Sequence, residues 1–297
     1  MEKKDIQKHA YLILAHDNFL GLSYLLKALD DENNDIYIHI DKKSNFRDEE
    51  MLKNSCTASS VYFVTRYSIY WGDSSIIKAE YELFKTAIKQ NYHYYHLISG
   101  SHFPSRSQKE IHDIFKNENR LYIDCHEERS DDPFYYKIMY YYPFKKYHWN
   151  IVKQDGMNYV KLWIITKIFY MMINFQKKLK VSRLNPDYVY YKGNQWVSLP
   201  HDFVEFLLSK EKETLKAYKN TSCSDEIFIP TIAVNSCYKS RIHYYSNTYV
   251  DWNRGQPYAF KYEDYDELVS VDYIFARKII YDLEPDLVKK LLSRLKI

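Results

Sequence analysis

Between His9 and Ser99 the chain alternates short apolar runs with segments of helical spacing. His9-Ala-Tyr-Leu-Ile-Leu-Ala15 is apolar without interruption, which suits a strand covered on both faces, and Phe19 to Leu29 repeats its apolar residues at helical intervals. Asp35-Ile-Tyr-Ile-His-Ile-Asp41 reads as a second strand and Ser60-Val-Tyr-Phe-Val64 as a third. Ser75 to Lys89 reads as a second long helix, and Tyr94-Tyr-His-Leu-Ile-Ser99 as a fourth strand. The rhythm predicts right-handed βαβ units, hence an α/β fold with a parallel sheet whose ligands bind beyond the carboxyl ends of the strands. His16, Asp41 and the Ser99-Gly100 turn fall at such ends.

Several function classes lose their support at this level. With 6 glycines among 297 residues there is no Gly-x-Gly-x-x-Gly and no P-loop, so neither dinucleotide nor kinase-type phosphate binding is expected. The 42 basic and 39 acidic residues leave a net charge of +3, so any anion site is local and no nucleic-acid partner is expected. The cysteines, Cys56, Cys125, Cys223 and Cys237, are scattered without a Cys-x-x-Cys, which fits a reducing compartment rather than a zinc knuckle or disulfide framework. Met-Glu-Lys-Lys-Asp leads into the first strand with no signal-peptide pattern, and a cytoplasmic protein is the expectation. The apolar stretch Val160 to Phe175 is broken by Lys161 and Lys167 and followed by Lys177, Lys178, Lys180 and Arg183. It reads first as a helix of the protein's own core, and second as a basic amphipathic helix at the inner face of an anionic membrane. Asp286 to Lys296 offers the same choice.

The second half of the chain carries the candidate chemistry. Ser222-Cys-Ser-Asp-Glu-Ile-Phe228 sets Asp225 and Glu226 at the start of an apolar helical run, where a carboxylate can accept a proton from a sugar hydroxyl. The competing reading is that acids there only suit the helix dipole. Arg277 and Lys278 end a later segment and can hold a diphosphate leaving group, against the alternative of an ordinary basic patch. Together they suggest glycosyl transfer. Two minor metal candidates are Asp264-Tyr-Asp266, within what reads as a solvated acidic helix start, and Asp124-Cys-His126. The 32 tyrosines, in runs such as Tyr135-Tyr136, Tyr140 to Pro143 and Tyr188-Val-Tyr-Tyr191, can line a glycan groove or merely reflect a compositional bias.

The series Leu14-Ala-His-Asp17, Ile38-His-Ile-Asp-Lys-Lys-Ser44, Trp71-Gly-Asp-Ser-Ser75, Ile98-Ser-Gly-Ser-His-Phe-Pro104, Gly193-Asn-Gln-Trp196, Ser224-Asp-Glu-Ile-Phe228, Val250-Asp-Trp252 and Phe275-Ala-Arg-Lys278 resembles the core-2/I-branching glycosyltransferases and their peptide O-xylosyltransferase relatives. The resemblance runs from about residue 9 to 280. It implies one GT-A type domain over residues 1–297, with a nucleotide-sugar half (9–125), a variable acceptor or membrane-proximal insertion (126–185) and an acceptor and catalytic half (186–297). It further implies inverting transfer from a UDP-sugar to a glycan or lipid-linked glycan in bacterial surface polysaccharide or glycoconjugate synthesis, with no metal and no other cofactor.

On that resemblance Glu226 is the general base with Asp225 beside it, and Arg277 and Lys278 replace the divalent cation of other GT-A enzymes. His16 and Asp41 match positions near the uracil and ribose, with Arg66 and Trp71 in the same region. Asp41 can equally cap the turn that follows it. The family pattern Gly-x-Asp-Phe-Pro is altered here to Gly100-Ser-His-Phe-Pro104, so His102, a donor as well as an acceptor, stands where an acid is usual. Gln195, Trp196, Asp251 and Trp252 are acceptor candidates, the tryptophans with core packing as the alternative. A non-catalytic carbohydrate-binding protein on the same fold, and a metal-dependent transferase using Asp124 or Asp264, are the competing functions.

Overall fold

A computed structural model describes residues 7–127, 135–143, 159–255 and 257–296. The predicted strands are present: β1 (His9–Ala15), β2 (Asn34–Ile40), β3 (Ser60–Phe63) and β4 (Tyr94–Ser99). They pair in parallel, with Ile13 opposite both Ile38 and Ile98. Further along come β5 (His102–Pro104), β6 (Leu121–Tyr122), β7 (His126–Glu127), β8 (Tyr191–Lys192), β9 (Val197–Pro200), β10 (Ile242–His243), β11 (Thr248–Val250) and β12 (Phe275–Arg277). The main sheet has the order β10-β6-β9-β4-β1-β2-β3, and only β9 runs antiparallel to its neighbours. This is the mixed α/β architecture, a mostly parallel sheet flanked by helices, that the strand and helix rhythm predicts.

Strand alternation distributes the core over both faces of the sheet. On one face Ala10, Leu12 and Leu97 pack against α3 (Ser75–Ala87), through Ile77, Tyr81 and Phe84, and against α7 (His201–Ser209), through Phe203 and Leu207. On the other, Tyr11, Ile13 and Ile98 meet α1 (Phe19–Leu29) and α4 (Gln108–Phe115) through Leu22, Leu26, Ile111 and Phe115. A smaller sheet, β11-β12-β5, lies across the carboxyl ends of the parallel strands, since β5 follows β4 by a two-residue turn. It is backed by α11 (Pro285–Leu295), whose Leu287, Val288 and Leu291 join Phe103, Ala276 and Phe260 in a third apolar cluster. The carboxyl-terminal helix is therefore a core helix.

Two expectations are corrected. The helix α6 (Tyr159–Lys178), placed in the core by the first reading, leaves Trp163, Ile168, Met171 and Phe175 exposed. Its apolar spacing is real, but the described part of the fold offers no partner for that face. The acidic stretch Tyr262 to Leu268 is not wholly solvated: Glu263 and Asp266 are exposed, whereas Asp264 is buried and accepts from the Arg254 guanidinium at 2.8 Å and the Lys261 amide at 2.8 Å. An arginine three residues beyond Asp251 supplies the charge that lets Asp264 leave water.

Candidate active site

Helix α9 (Phe228–Val234) is preceded by a single 3-10 turn, Ser224–Glu226, that presents both acids. The turn is tied down on two sides. The Cys223 amide donates to the Gly72 carbonyl at 2.9 Å, and the Gly193 amide donates to the Glu226 carbonyl at 2.7 Å. A Cβ on Gly193 would lie 1.7 Å from the Asp124 carbonyl oxygen, so only glycine lets these strands of chain cross so closely. From that crossing the next three residues reach three different elements. Asn194 Nδ2 donates to Asp124 Oδ2 at 2.7 Å, Gln195 Nε2 donates to Glu80 Oε1 at 2.5 Å, and the Trp196 ring lies under Arg277, 5.0 Å from the guanidinium carbon to the ring centre.

Glu80 is a residue that motif reading passes over. It projects from α3 toward the turn and is fully buried, with Asp225 as its charged neighbour. Burial, reinforced by Asp225, pushes its carboxyl well above the usual glutamate range, against the opposing hydrogen bond from Gln195. Asp225 is pushed up to about 7 by burial and then by the charge of Glu226. Glu226 is raised by burial, while Lys192, Lys137 and Arg277 pull the other way. Three acids thus share one site, and the cations surround Glu226 rather than Glu80. Glu80 Oε2 and Asp225 Oδ1 are buried without a hydrogen-bond partner among the described residues. The arrangement favours a protonated Glu80 and an ionised Glu226, which is the division of roles that a general base requires. A signal for Glu80 exists in the sequence: it falls at helical spacing among Ile77, Tyr81 and Phe84, an acid on an apolar face.

The small sheet sets the other wall. Arg277 pairs with His102 across β5 and β12 and with Val250 across β11 and β12. Ser99, at the carboxyl end of β4, joins them: its hydroxyl lies 2.8 Å from His102 Nδ1 and 3.4 Å from Arg277 Nε. His102 Nδ1 also accepts from the Ser99 amide at 3.0 Å, which puts the ring proton on Nε2. Buried beside Arg277 and edge-on to Trp196, at 4.7 Å between ring centres, the imidazole is held neutral well below its usual range. Arg277 is half-buried and drawn down to about 10 by burial, so it stays cationic at neutral pH. Lys278 is half-buried and has no carboxylate within ion-pair distance among the described residues.

The remaining candidates lie along the same sheet edge but not in this cluster. His16 is exposed, 3.2 Å from the Asp17 carboxylate. Asp41 is buried, and its Oδ1 accepts from the Lys43 and Ile69 amides at 2.9 and 3.3 Å, the turn-capping alternative. Arg66 donates to the main-chain carbonyls of Ile40, Asp41, Ser44 and Phe46, so its guanidinium shapes the loop after β2. Trp71 and Trp252 are exposed, whereas Trp196 is buried. Asp251 is engaged by the Arg254 side chain and by the Asn253 and Arg254 amides. Asp124 is held by Asn194 and lies 3.0 Å from His126 Nε2. Among the described residues no three histidine, cysteine or acidic side chains are grouped to hold a metal ion. Tyr188 and Tyr190, with Tyr218 and Phe206, line a separate cavity of 160 Å³ that includes none of the acid cluster.

The core-2/I-branching enzyme model matches residues 9–270. The chain belongs to the core-2/I-branching enzyme family. Among curated relatives, rat xylosyltransferase 2 is 21% identical over 237 residues, covering 76% of this chain and 24% of that protein. The Caenorhabditis briggsae xylosyltransferase sqv-6 is 21% identical over 240 residues, covering 78% and 27%. This family member thus spans about a quarter of the length of the curated relatives it matches. The solved structure of mouse xyloside xylosyltransferase 1, apo form, overlays with a TM-score of 0.39 and 9% identity over 91% of this chain and 96% of that one.

Proposed function

We propose that the protein is an inverting, metal-independent glycosyltransferase that moves a sugar from a UDP-sugar to a hydroxyl of a glycan acceptor. The observation that carries the reading is the setting of Glu226: a half-buried carboxylate on the turn before α9 whose negative charge is favoured by Lys192, Lys137 and Arg277. In the reaction the acceptor hydroxyl gives its proton to Glu226 while its oxygen attacks the anomeric carbon. The bond from that carbon to the diphosphate oxygen breaks, and an α-linked donor yields a β-linked product. UDP departs with the bonding electrons, and Arg277 and Lys278 meet the charge that grows on it. Of the two metal candidates, Asp264 already has its charge compensated by the Arg254 guanidinium, which supports a cation clamp of this kind.

The donor half is proposed to lie over the ends of β1 and β2, with His16 and Asp41 toward the nucleotide and Trp71 beside it. Arg66 serves there by fixing the loop. Trp196, His102, Gln195 and Trp252 remain the acceptor-side candidates, and Asp251 acts through the Arg254 turn. The names of the relatives make UDP-xylose the first donor to try, followed by UDP-GlcNAc, UDP-Glc and UDP-Gal. UDP release from one of these with EDTA present, together with UDP binding by calorimetry, is the expected result. Transfer that needs manganese would replace the cationic clamp with a metal. Neither hydrolysis nor UDP binding under any condition would make this a non-catalytic carbohydrate-binding member of the family.

A further inference from the structure

Helix α6 carries no acidic residue along its whole length. From Ile164 onward Ile168, Met171, Phe175 and Leu179 follow at steps of four, three, four and four residues, which puts them on one line along the helix and its C-terminal continuation. These five side chains are 45, 46, 65, 63 and 60% exposed. Trp163 and Tyr170, 61 and 68% exposed, border the line, and Lys167 and Lys178 fall in the same exposed sector. The Lys167 ammonium sits 4.7 Å over the Trp163 ring, so its aliphatic stem lies along the apolar surface while its charge rests over the indole face. The stripe runs for about 22 Å, longer than the scattered apolar residues of an ordinary soluble surface.

The chemistry of this face selects its partner. Aliphatic and aromatic side chains interleaved with lysines, and no carboxylate, match the boundary between the acyl chains and head groups of an anionic bilayer. No helix of the described residues is long and apolar enough to cross a membrane, so the fitting geometry is a helix lying in the plane of the surface. A second copy of the chain is disfavoured by charge, because a two-fold contact would set the Lys167 and Lys178 rows against each other. We propose that this face of α6 docks the protein onto an anionic lipid surface.

The test is sedimentation of the full chain with phosphatidylcholine vesicles and with vesicles containing phosphatidylglycerol, at low and high salt, without any sugar donor. The expected result is binding to the anionic vesicles that weakens with salt and is much lower on pure phosphatidylcholine. Replacing Ile168, Met171 and Phe175 together by Glu should weaken it by on the order of 100-fold or more, with an unchanged far-UV spectrum because all three positions are exposed. Lys167→Gln with Lys178→Gln should remove most of the preference for anionic lipid. Failure to bind, equal binding to both vesicle types, or a triple variant that binds like the parent would overturn the proposal. So would a concentration-dependent dimer that ignores vesicles and is abolished by the triple variant. Because no donor is present, these outcomes are independent of whether the protein transfers a sugar.

Discussion

At the scale of the residue, the site is a problem of three carboxyl groups in one place. A cluster of that kind cannot be fully ionised, and the surroundings decide which group keeps its charge. Lys137, Lys192 and Arg277 act on Glu226, so Glu226→Gln should cut turnover by roughly 100- to 10,000-fold while UDP binding by calorimetry stays unchanged. In the parent protein kcat/KM should rise with pH along a limb lying above the ordinary glutamate range, because burial raises Glu226. Asp225 yields a stability test with the sign fixed by its raised value. Its folded form stays protonated up to about 7, whereas the unfolded chain ionises near the ordinary aspartate value. The stability associated with the protonated group is therefore present below that value and lost as pH rises toward 7. Asp225→Asn should be more stable than the parent at pH 8, by about 2 kcal/mol after allowance for its partial exposure. Urea denaturation should show the difference vanishing near pH 4.

At the scale of the element, two glycines in family motifs behave differently. The Cβ of Gly193→Ala would meet backbone at 1.7 Å, so the 3-10 turn bearing Glu226 or the Asp124 segment must move. That of Gly100→Ala would meet the Ala15 Cβ at 3.5 Å, an ordinary contact. Thermal denaturation should show Gly193→Ala costing more than about 3 kcal/mol and Gly100→Ala less than about 1. The same contrast measures what can be read from a sequence. Strands β1 to β4 and helices α1 and α3 are legible to within about two residues, because long apolar runs and helical spacing leave few alternatives. The three-residue strands β5, β11 and β12 are too short to carry a period, yet they place His102 and Arg277 side by side. Asp225, Glu226 and Arg277 are legible through motif order. Glu80 is not, since its role depends on a turn some 145 residues away in the chain packing onto α3. The position of α6 was hidden for the opposite reason: apolar spacing shows that a face wants cover and is silent on what covers it.

At the scale of the whole molecule, the acid cluster at the carboxyl end of the sheet is opposed by buried histidines. His9, the first residue of β1, and His96, inside β4, are hydrogen-bonded to each other at 3.1 Å, and His96 also to Ser198 at 2.6 Å. His39 accepts from the Tyr67 amide at 2.9 Å. Burial lowers His39 to about 4 and His96 to about 3, and holds His9 and His102 well below the usual value. The sign is the reverse of that for Asp225. A histidine kept neutral in the folded state contributes stability that is fully present above the unfolded value of about 6.5 and is lost as pH falls toward the folded value. At pH 5 His39 and His96 each cost about 2 kcal/mol, and His9 and His102 act in the same direction. The four outweigh what Asp225 regains over the same interval. The urea midpoint should therefore still be rising at pH 6.5 and fall steeply between 6 and 4. His39→Asn should remove about 2 kcal/mol of the loss between pH 6.5 and 5 without changing the direction set by the other three. A midpoint that stays level to pH 4 would mean that these rings are hydrated and titrate as they do in the unfolded chain, and the close packing of β1, β2 and β4 around them would have to be given up.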